Sequence, residues 1–137
     1  RGPVISRIAT VKPDGAPYVV PVWHYWDGQA LWIIPRARSS FVENIQREPR
    51  VCVSTADDVD PLHTRVVIEG RAEVAEGPVK MHGRMAEMAD DMARRYMGPD
   101  GPKYLGRTAD RPRYLLKVTP ERITSWRGNE WHPRYIA

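Results

Sequence analysis

Short stretches of alternating, β-branched residues separated by tight-turn signals constrain this chain more than any other feature. Val4 to Val11 alternates, Lys12-Pro13-Asp14-Gly15 is a strong turn, and Tyr18 to Trp26 resumes strand character. Asp27-Gly28 marks a second turn before Ala30 to Ile34, so the spacing predicts a meander of three consecutive antiparallel strands. Val51 to Thr55 and Val66 to Val74 read as two further strands, with Gly70 marking a bulge or a close approach of two backbones. Arg113 to Val118 and Arg122 to Trp126 supply two last strands around a Thr119-Pro120-Glu121 turn.

Two helices interrupt this series. Ser39 or Ser40 stands as an N-cap, and Glu43 follows Ser40 at capping-box spacing. Phe41, Val42 and Ile45 keep helical spacing up to about Arg47, before Pro49. A second helix is expected to start at Pro78, with Met81, Met85, Met88, Met92 and Tyr96 forming one apolar stripe that reads as core or subunit-facing; Gly98-Pro99-Asp100-Gly101-Pro102 breaks it. The expected fold class is therefore mainly β with α. About seven sequential antiparallel strands remove their exposed edges by curling into a small closed or partly closed barrel with helices at its rim.

At 137 residues the chain is one domain, 1–137, and it opens without methionine, so an N-terminal segment is expected to precede it. No apolar run approaches the roughly 18–20 residues that span a bilayer, and no signal-like stretch opens the chain; the expectation is a cytoplasmic protein without membrane contact. Cys52 is the sole cysteine and reads as a small buried side chain, which excludes an internal disulfide and a cysteine-based zinc site. The acidic run around Asp57, Asp58 and Asp60 reads as a solvated loop, so no metal is expected. His63 and His82 read as solvated too.

Lys and Arg total 21 against 17 Asp and Glu, and only Lys12, Lys80, Lys103 and Lys117 are lysines. A net +4 without a basic run interleaved with aromatics excludes a nucleic-acid binder, whereas arginine suits planar, bidentate grip of small phosphates or carboxylates. Arg36, Arg38, Ser39 and Ser40 lie where a strand passes into a helix, which is either an anion site or an ordinary cap with two surface arginines. Pro21-Val22-Trp23-His24-Tyr25-Trp26 crowds three aromatics and a histidine into one strand, with Trp32 on the next; sheet packing accounts for most of them, and a planar ligand is the alternative. His24 is the best-placed titratable group but reads more readily as structural. No nucleophile stands beside a base and no paired carboxylates are poised for acid–base work, so a catalytic role would rest on a bound cofactor.

Four stretches in order, Ile8-Ala9-Thr10-Val11 with Asp14-Gly15-Ala16-Pro17, Pro21-Val22-Trp23, Arg38 to Ile45 with Glu48-Pro49-Arg50-Val51, and Gly70 to Val74, resemble the flavin and deazaflavin oxidoreductases of the pyridoxamine-phosphate-oxidase-like split barrel. The ending Pro120-Glu121-Arg122-Ile123 to Trp126 is similar to that family's last strands. The resemblance implies an antiparallel six- to seven-stranded split β-barrel, the FMN-binding split barrel. It also implies a homodimer with its cofactor in a groove between subunits. By position, Pro21, Val22 and Trp23 would line the ring, and the turn from Arg36 to Asn44, with Arg38, Ser39, Ser40 and Phe41, would bind the phosphate. Oxidase-type members carry a Ser-Arg-Lys run where this chain has Ser39, Ser40 and Phe41, which disfavours oxidase-type FMN binding and pyridoxal-phosphate production and tilts the expectation to coenzyme F420. The implied chemistry is hydride transfer from reduced F420, or from FMN in the alternative, to an electron-poor double bond. His24, Trp126, Trp131 and His132 are expected on the substrate side, and no catalytic acid or base is assigned. The competing reading from another class is a non-catalytic carrier of F420, FMN or haem, with His24 and His132 as the axial ligands haem would need.

Overall fold

The computed structural model describes residues 4–57, 59 and 64–127. Seven strands, β1 (Ser6–Val11), β2 (Pro17–Val22), β3 (Tyr25–Trp26), β4 (Leu31–Ile33), β5 (Arg50–Ala56), β6 (Arg65–Val79) and β7 (Arg113–Trp126), form one antiparallel sheet. Three helices, α1 (Phe41–Arg47), α2 (Gly83–Met97) and α3 (Gly101–Gly106), complete it. The strand order is β2-β1-β5-β6-β7-β4-β3, so β2 and β3 are the two edges although only Trp23 and His24 separate them in sequence. Two residues span only about 7 Å. The sheet must therefore curl until its edges almost meet, which is a split barrel: mainly β with rim helices, as the alternation requires.

The expected meander is corrected by this order. β2 pairs with β1, whereas β3 pairs with β4, Tyr25 opposite Trp32. The run from Tyr18 to Trp26 has strand-forming residues on both sides of Trp23-His24, yet it crosses from one sheet edge to the other there. A second correction concerns the last strands. β7 is continuous through Thr119-Pro120-Glu121, which form a bulge: Glu69 faces Arg122 and Gly70 faces Pro120, leaving Glu121 as the extra residue. Proline has no amide hydrogen to lose from the ladder there. Gly70 meets both sequence expectations, because a side chain on it would run into the Thr119 carbonyl.

Helix starts differ as well. The strand β6 runs on through Pro78, and α2 begins only at Gly83, because Val79 still pairs with Arg113; Pro78 falls within a register irregularity where no ladder amide is needed. At α1 the Ser40 backbone is already helical (φ −66°, ψ −25°), so its hydroxyl makes no cap bond and no capping box forms. Backbone turns serve instead, with the Val42 amide donating to the Ser39 carbonyl and the Glu43 amide to that of Ser40. The short α3 lies close behind α2, and Gly101 permits it: a side chain there would strike the Ala93 carbonyl.

Two apolar clusters result. Inside the barrel, Ile8, Leu31, Ile33, Val53, Leu116 and Val118 pack with Phe41, Val42 and Ile45 of α1. Outside it, Trp32 and Leu115 receive Met85 of α2, with Met81 and Met88 alongside. The α2 stripe is thus core, Met85, Ala89, Met92 and Ala93 being buried, while Arg94–Asp90 and Arg95–Asp91 pairs cover its outer face. Cys52 is half-buried rather than enclosed, and burial with the nearby Glu69 charge pushes its thiol up. No helix among the described residues is long and apolar enough to cross a membrane.

Candidate functional site

The crossing Trp23-His24 borders two cavities. The smaller, about 300 Å³, is lined by Pro21, Val22 and Trp23 from the first sheet edge, by Arg36, Ser39 and Phe41 from the turn into α1, and by Met92 of α2 and Arg113 of β7. The structure thus brings together six of the nine residues expected around a cofactor. The other three lie elsewhere. Arg38 and Ser40 are exposed and line neither cavity. Asn44 is buried, its amide nitrogen donating to Thr10 Oγ1 at 3.1 Å, which ties α1 to β1.

Arg113 has no place in the sequence expectation, though a signal existed: it has the same strand parity as the fully buried Leu115, and it is itself only 5% exposed. Its guanidinium donates to the Thr108 carbonyl at 3.0 Å and to Thr108 Oγ1 at 2.7 Å, both neutral acceptors. Burial and the positive charges of Arg36 and Arg111 lower its affinity for its proton.

The larger cavity, about 630 Å³, lies on the other side of the crossing, lined by His24, Tyr25, Trp26, Leu31, Ile68 and Arg95 among others. His24 is fixed from within. Its Nδ1 lies 2.6 Å from Ser6 Oγ, which is 2.6 Å from Thr55 Oγ1, and 3.1 Å from the Tyr96 hydroxyl. The Tyr96 hydroxyl gives its one hydrogen to the Val4 carbonyl at 2.8 Å and also accepts from the His24 amide at 3.4 Å. It therefore faces His24 Nδ1 as an acceptor, while the Ser6 hydroxyl, which can give or take a hydrogen, makes the shorter contact to the same nitrogen. Burial, then the neighbouring Arg95 charge, lowers the His24 pKa to about 4, so the ring is neutral at pH 7. Arg95 is held by Asp91 at 3.0 Å and by the His24 carbonyl.

Of the remaining residues expected on the substrate side, Trp126 is half-buried with the Arg65 guanidinium 5.9 Å from its ring centre, while its neighbours Ile123 and Ser125 line the larger cavity. Trp131 and His132 lie outside the described residues, as does His63. Among the described residues no group of three His, Cys, Asp or Glu is placed to hold a metal ion.

The comparisons agree with this architecture. An F420 reductase structure is 27% identical, covers 90% of this chain and 90% of its own, and superposes with a TM-score of 0.69. A conserved hypothetical protein from Mycobacterium tuberculosis is 28% identical, with 90% of this chain and 76% of that one covered and a TM-score of 0.72. The haem storage protein of Vibrio cholerae, 17% identical with 93% and 89% covered and a TM-score of 0.66, has the same fold. No functionally curated sequence matches the chain. The family model described as pyridoxamine 5'-phosphate oxidase matches residues 1–127, nearly the whole sequence, and with the split barrel above it shows that the chain belongs to the pyridoxamine 5'-phosphate oxidase family.

Proposed function

We propose that this chain is an F420-dependent reductase that acts as a homodimer on a small, electron-poor acceptor. The observation that carries the reading is the smaller cavity, where Pro21, Val22 and Trp23 meet Arg36, Ser39 and Phe41 in a chain that resembles an F420 reductase over 90% of its length. The donor set fits such a ligand: apolar walls from Trp23, Phe41 and Met92 suit a ring system, and the arginines with Ser39 suit its phosphate. At about 300 Å³ the cavity sits at the lower end of ligand pockets, roughly 300–1,000 Å³, so one chain holds one section of the cofactor and a second copy completes the groove.

When bound in reduced form, F420 supplies a hydride to an electron-poor double bond. The chain's residues provide position and environment. Trp23 is held flat by Tyr96, Phe41 and Met92 keep water from the cavity wall, and Arg36 carries the opposite charge to the cofactor's anion. Hydride transfer needs the acceptor in contact with the ring face, so the acceptor lies against the ring in the groove that the second copy completes, while neutral His24 borders the separate larger cavity across the crossing. Solvent supplies the proton.

Titration of the protein with F420 and FMN, followed by ligand fluorescence, tests this. F420 is expected to bind at least about tenfold more tightly than FMN, the scale of one charge-assisted contact. Arg36→Ala should weaken F420 about tenfold, and exposed Arg38→Ala less than about threefold. Reduced F420 should then be oxidised on addition of a quinone or enone. Preference for FMN transfers the reading to a flavin enzyme; binding without turnover of any acceptor makes the protein a carrier.

A further inference from the structure

The bulge at Glu121 decides which residues of β7 face the end of the barrel. With an unbroken register Ile68 would stand opposite Arg122 and Val66 opposite Thr124; the extra residue puts Ile123 and Ser125 there instead. Directly paired residues share a sheet face, so one inward row runs Ile8, Val53, Ile68, Ile123 across β1, β5, β6 and β7. The row beyond it runs Ser6, Thr55, Val66, Ser125. Ile8, Val53 and Ile68 are buried, whereas Ile123, in the same row, is 52% exposed. The barrel interior is therefore packed on three strands and open at the fourth. The larger cavity, about 630 Å³, is that opening, with Ile68, Ile123 and Ser125 on its wall beside Trp26 and His24.

The polar groups of the outer row close on one another. Ser6 and Thr55 share a hydrogen bond, and Ser6 and Tyr96 take up His24 Nδ1. His24 Nε2 has no hydrogen-bond partner among the described residues. Whichever nitrogen carries the proton of the neutral ring, Nε2 has one hydrogen bond left to give or to accept.

Charge separates this cavity from the smaller one. Among the described residues the smaller cavity is lined by Arg36 and Arg113 and by no carboxylate. The larger has two carboxylates, Asp57 and Asp91, against one guanidinium, that of Arg95, which already pairs with Asp91 at 3.0 Å. An anion such as a phosphorylated cofactor would lose its hydration there and gain no counter-charge. The volume lies well inside the range of small-molecule pockets, roughly 300–1,000 Å³.

We infer that the open end of the barrel is a second small-molecule site, separate from the cofactor's, for an uncharged, mainly apolar ring compound that sets one hydroxyl, carbonyl or ring nitrogen against His24 Nε2. Trp26, Ile68 and Ile123 receive the apolar body, and the polar row holds the imidazole that meets its polar group. The inference does not rest on the F420 reading.

4-Phenylphenol, uncharged at neutral pH, is the probe, and biphenyl-4-carboxylate is its charged counterpart. Calorimetric titration of the full chain should give a one-to-one complex with 4-phenylphenol and at least about tenfold weaker binding of the carboxylate. Ile123→Trp fills the opening from a half-exposed position, so it should keep the melting temperature within about 2 °C while weakening 4-phenylphenol at least about tenfold. His24→Leu should weaken it about two- to tenfold, the worth of one neutral hydrogen bond. If that variant folds poorly, the nitrogen-15 resonance of His24 Nε2 in the unmodified protein should still shift when 4-phenylphenol binds. Excess F420 or FMN should not displace the probe. Failure of both cofactors to bind removes the F420 reading and leaves this site standing. No binding of 4-phenylphenol, equal binding of the carboxylate, unchanged affinity in Ile123→Trp or displacement by a cofactor overturns the inference. If 4-phenylphenol fails to bind and Ile123→Trp changes the sedimenting mass, this end of the barrel is an interface with a second copy, and the inference falls.

Discussion

The indole of Trp23 lies flat against the phenol ring of Tyr96, centroids 5.0 Å apart and planes 3° from parallel, so that one α2 side chain clamps the wall of the smaller cavity. The same phenol holds the His24 backbone and the Val4 carbonyl through its hydroxyl. Tyr96 therefore fixes both residues of the crossing.

Tyr96→Phe retains the stack and loses the hydroxyl, so it should cost about 1 kcal/mol of stability and leave cofactor affinity within about threefold. Tyr96→Ala should weaken cofactor binding further by releasing Trp23. Urea denaturation together with ligand titration separates the two effects.

Acid should act through His24. Its folded pKa of about 4 lies below the ordinary 6.5, so between those values the unfolded chain binds the proton and the folded one resists it. Stability is therefore lost as pH falls from about 6.5 toward 4. His24→Gln should flatten that part of the profile, measured as the urea midpoint against pH; an unchanged slope would show that other groups cause it.

Gly70→Ala should destabilise the protein by about 1–3 kcal/mol, since the new methyl must displace the Thr119 backbone and not a flexible side chain. Alanine at Gly106, where nothing lies within reach of a Cβ, is the control and should stay within about 0.5 kcal/mol. Thermal unfolding of the two variants gives the comparison directly.

Met92 is 3% exposed and lines the smaller cavity. Met92→Ala should cost about 2–5 kcal/mol and enlarge the site, whereas Met92→Leu, close in volume, should cost less than about 1.5 kcal/mol. Chemical denaturation checks both.

Much of this fold can be read from the residues. Gly70 breaks an alternating run for the reason a glycine usually does, and the methionine stripe from Met85 to Met92 keeps helical spacing because α2 buries one face. Propensity could not show where the run from Tyr18 to Trp26 leaves one sheet edge for the other, because strand-forming Tyr, Val and Trp residues stand on both sides of the crossing and only long-range pairing with β1 and β4 divides them. Pro78 and Pro120 mislead alike, since a proline beside a bulge resembles a helix start or a turn until the opposing strand is known. At the site, the turn from Arg36 to Phe41 is visible as a dense group of arginines and serines. Arg113 is hidden because a charged residue opening a strand reads as solvent-facing, although its parity with Leu115 places it on the sheet face that the helices cover.

The barrel's seam is fastened by chain and not by a ladder. β2 and β3 share no hydrogen bonds among the described residues, and β2 carries Pro17 and Pro21, which lack amide hydrogens for a further strand. What holds the two edges together is therefore side-chain packing and the hydrogen bonds made at the crossing, not strand pairing. Because Trp23 walls the smaller cavity and His24 the larger, the two cavities share one backbone junction, and the side chain that holds it, Tyr96, sets the wall of both at once.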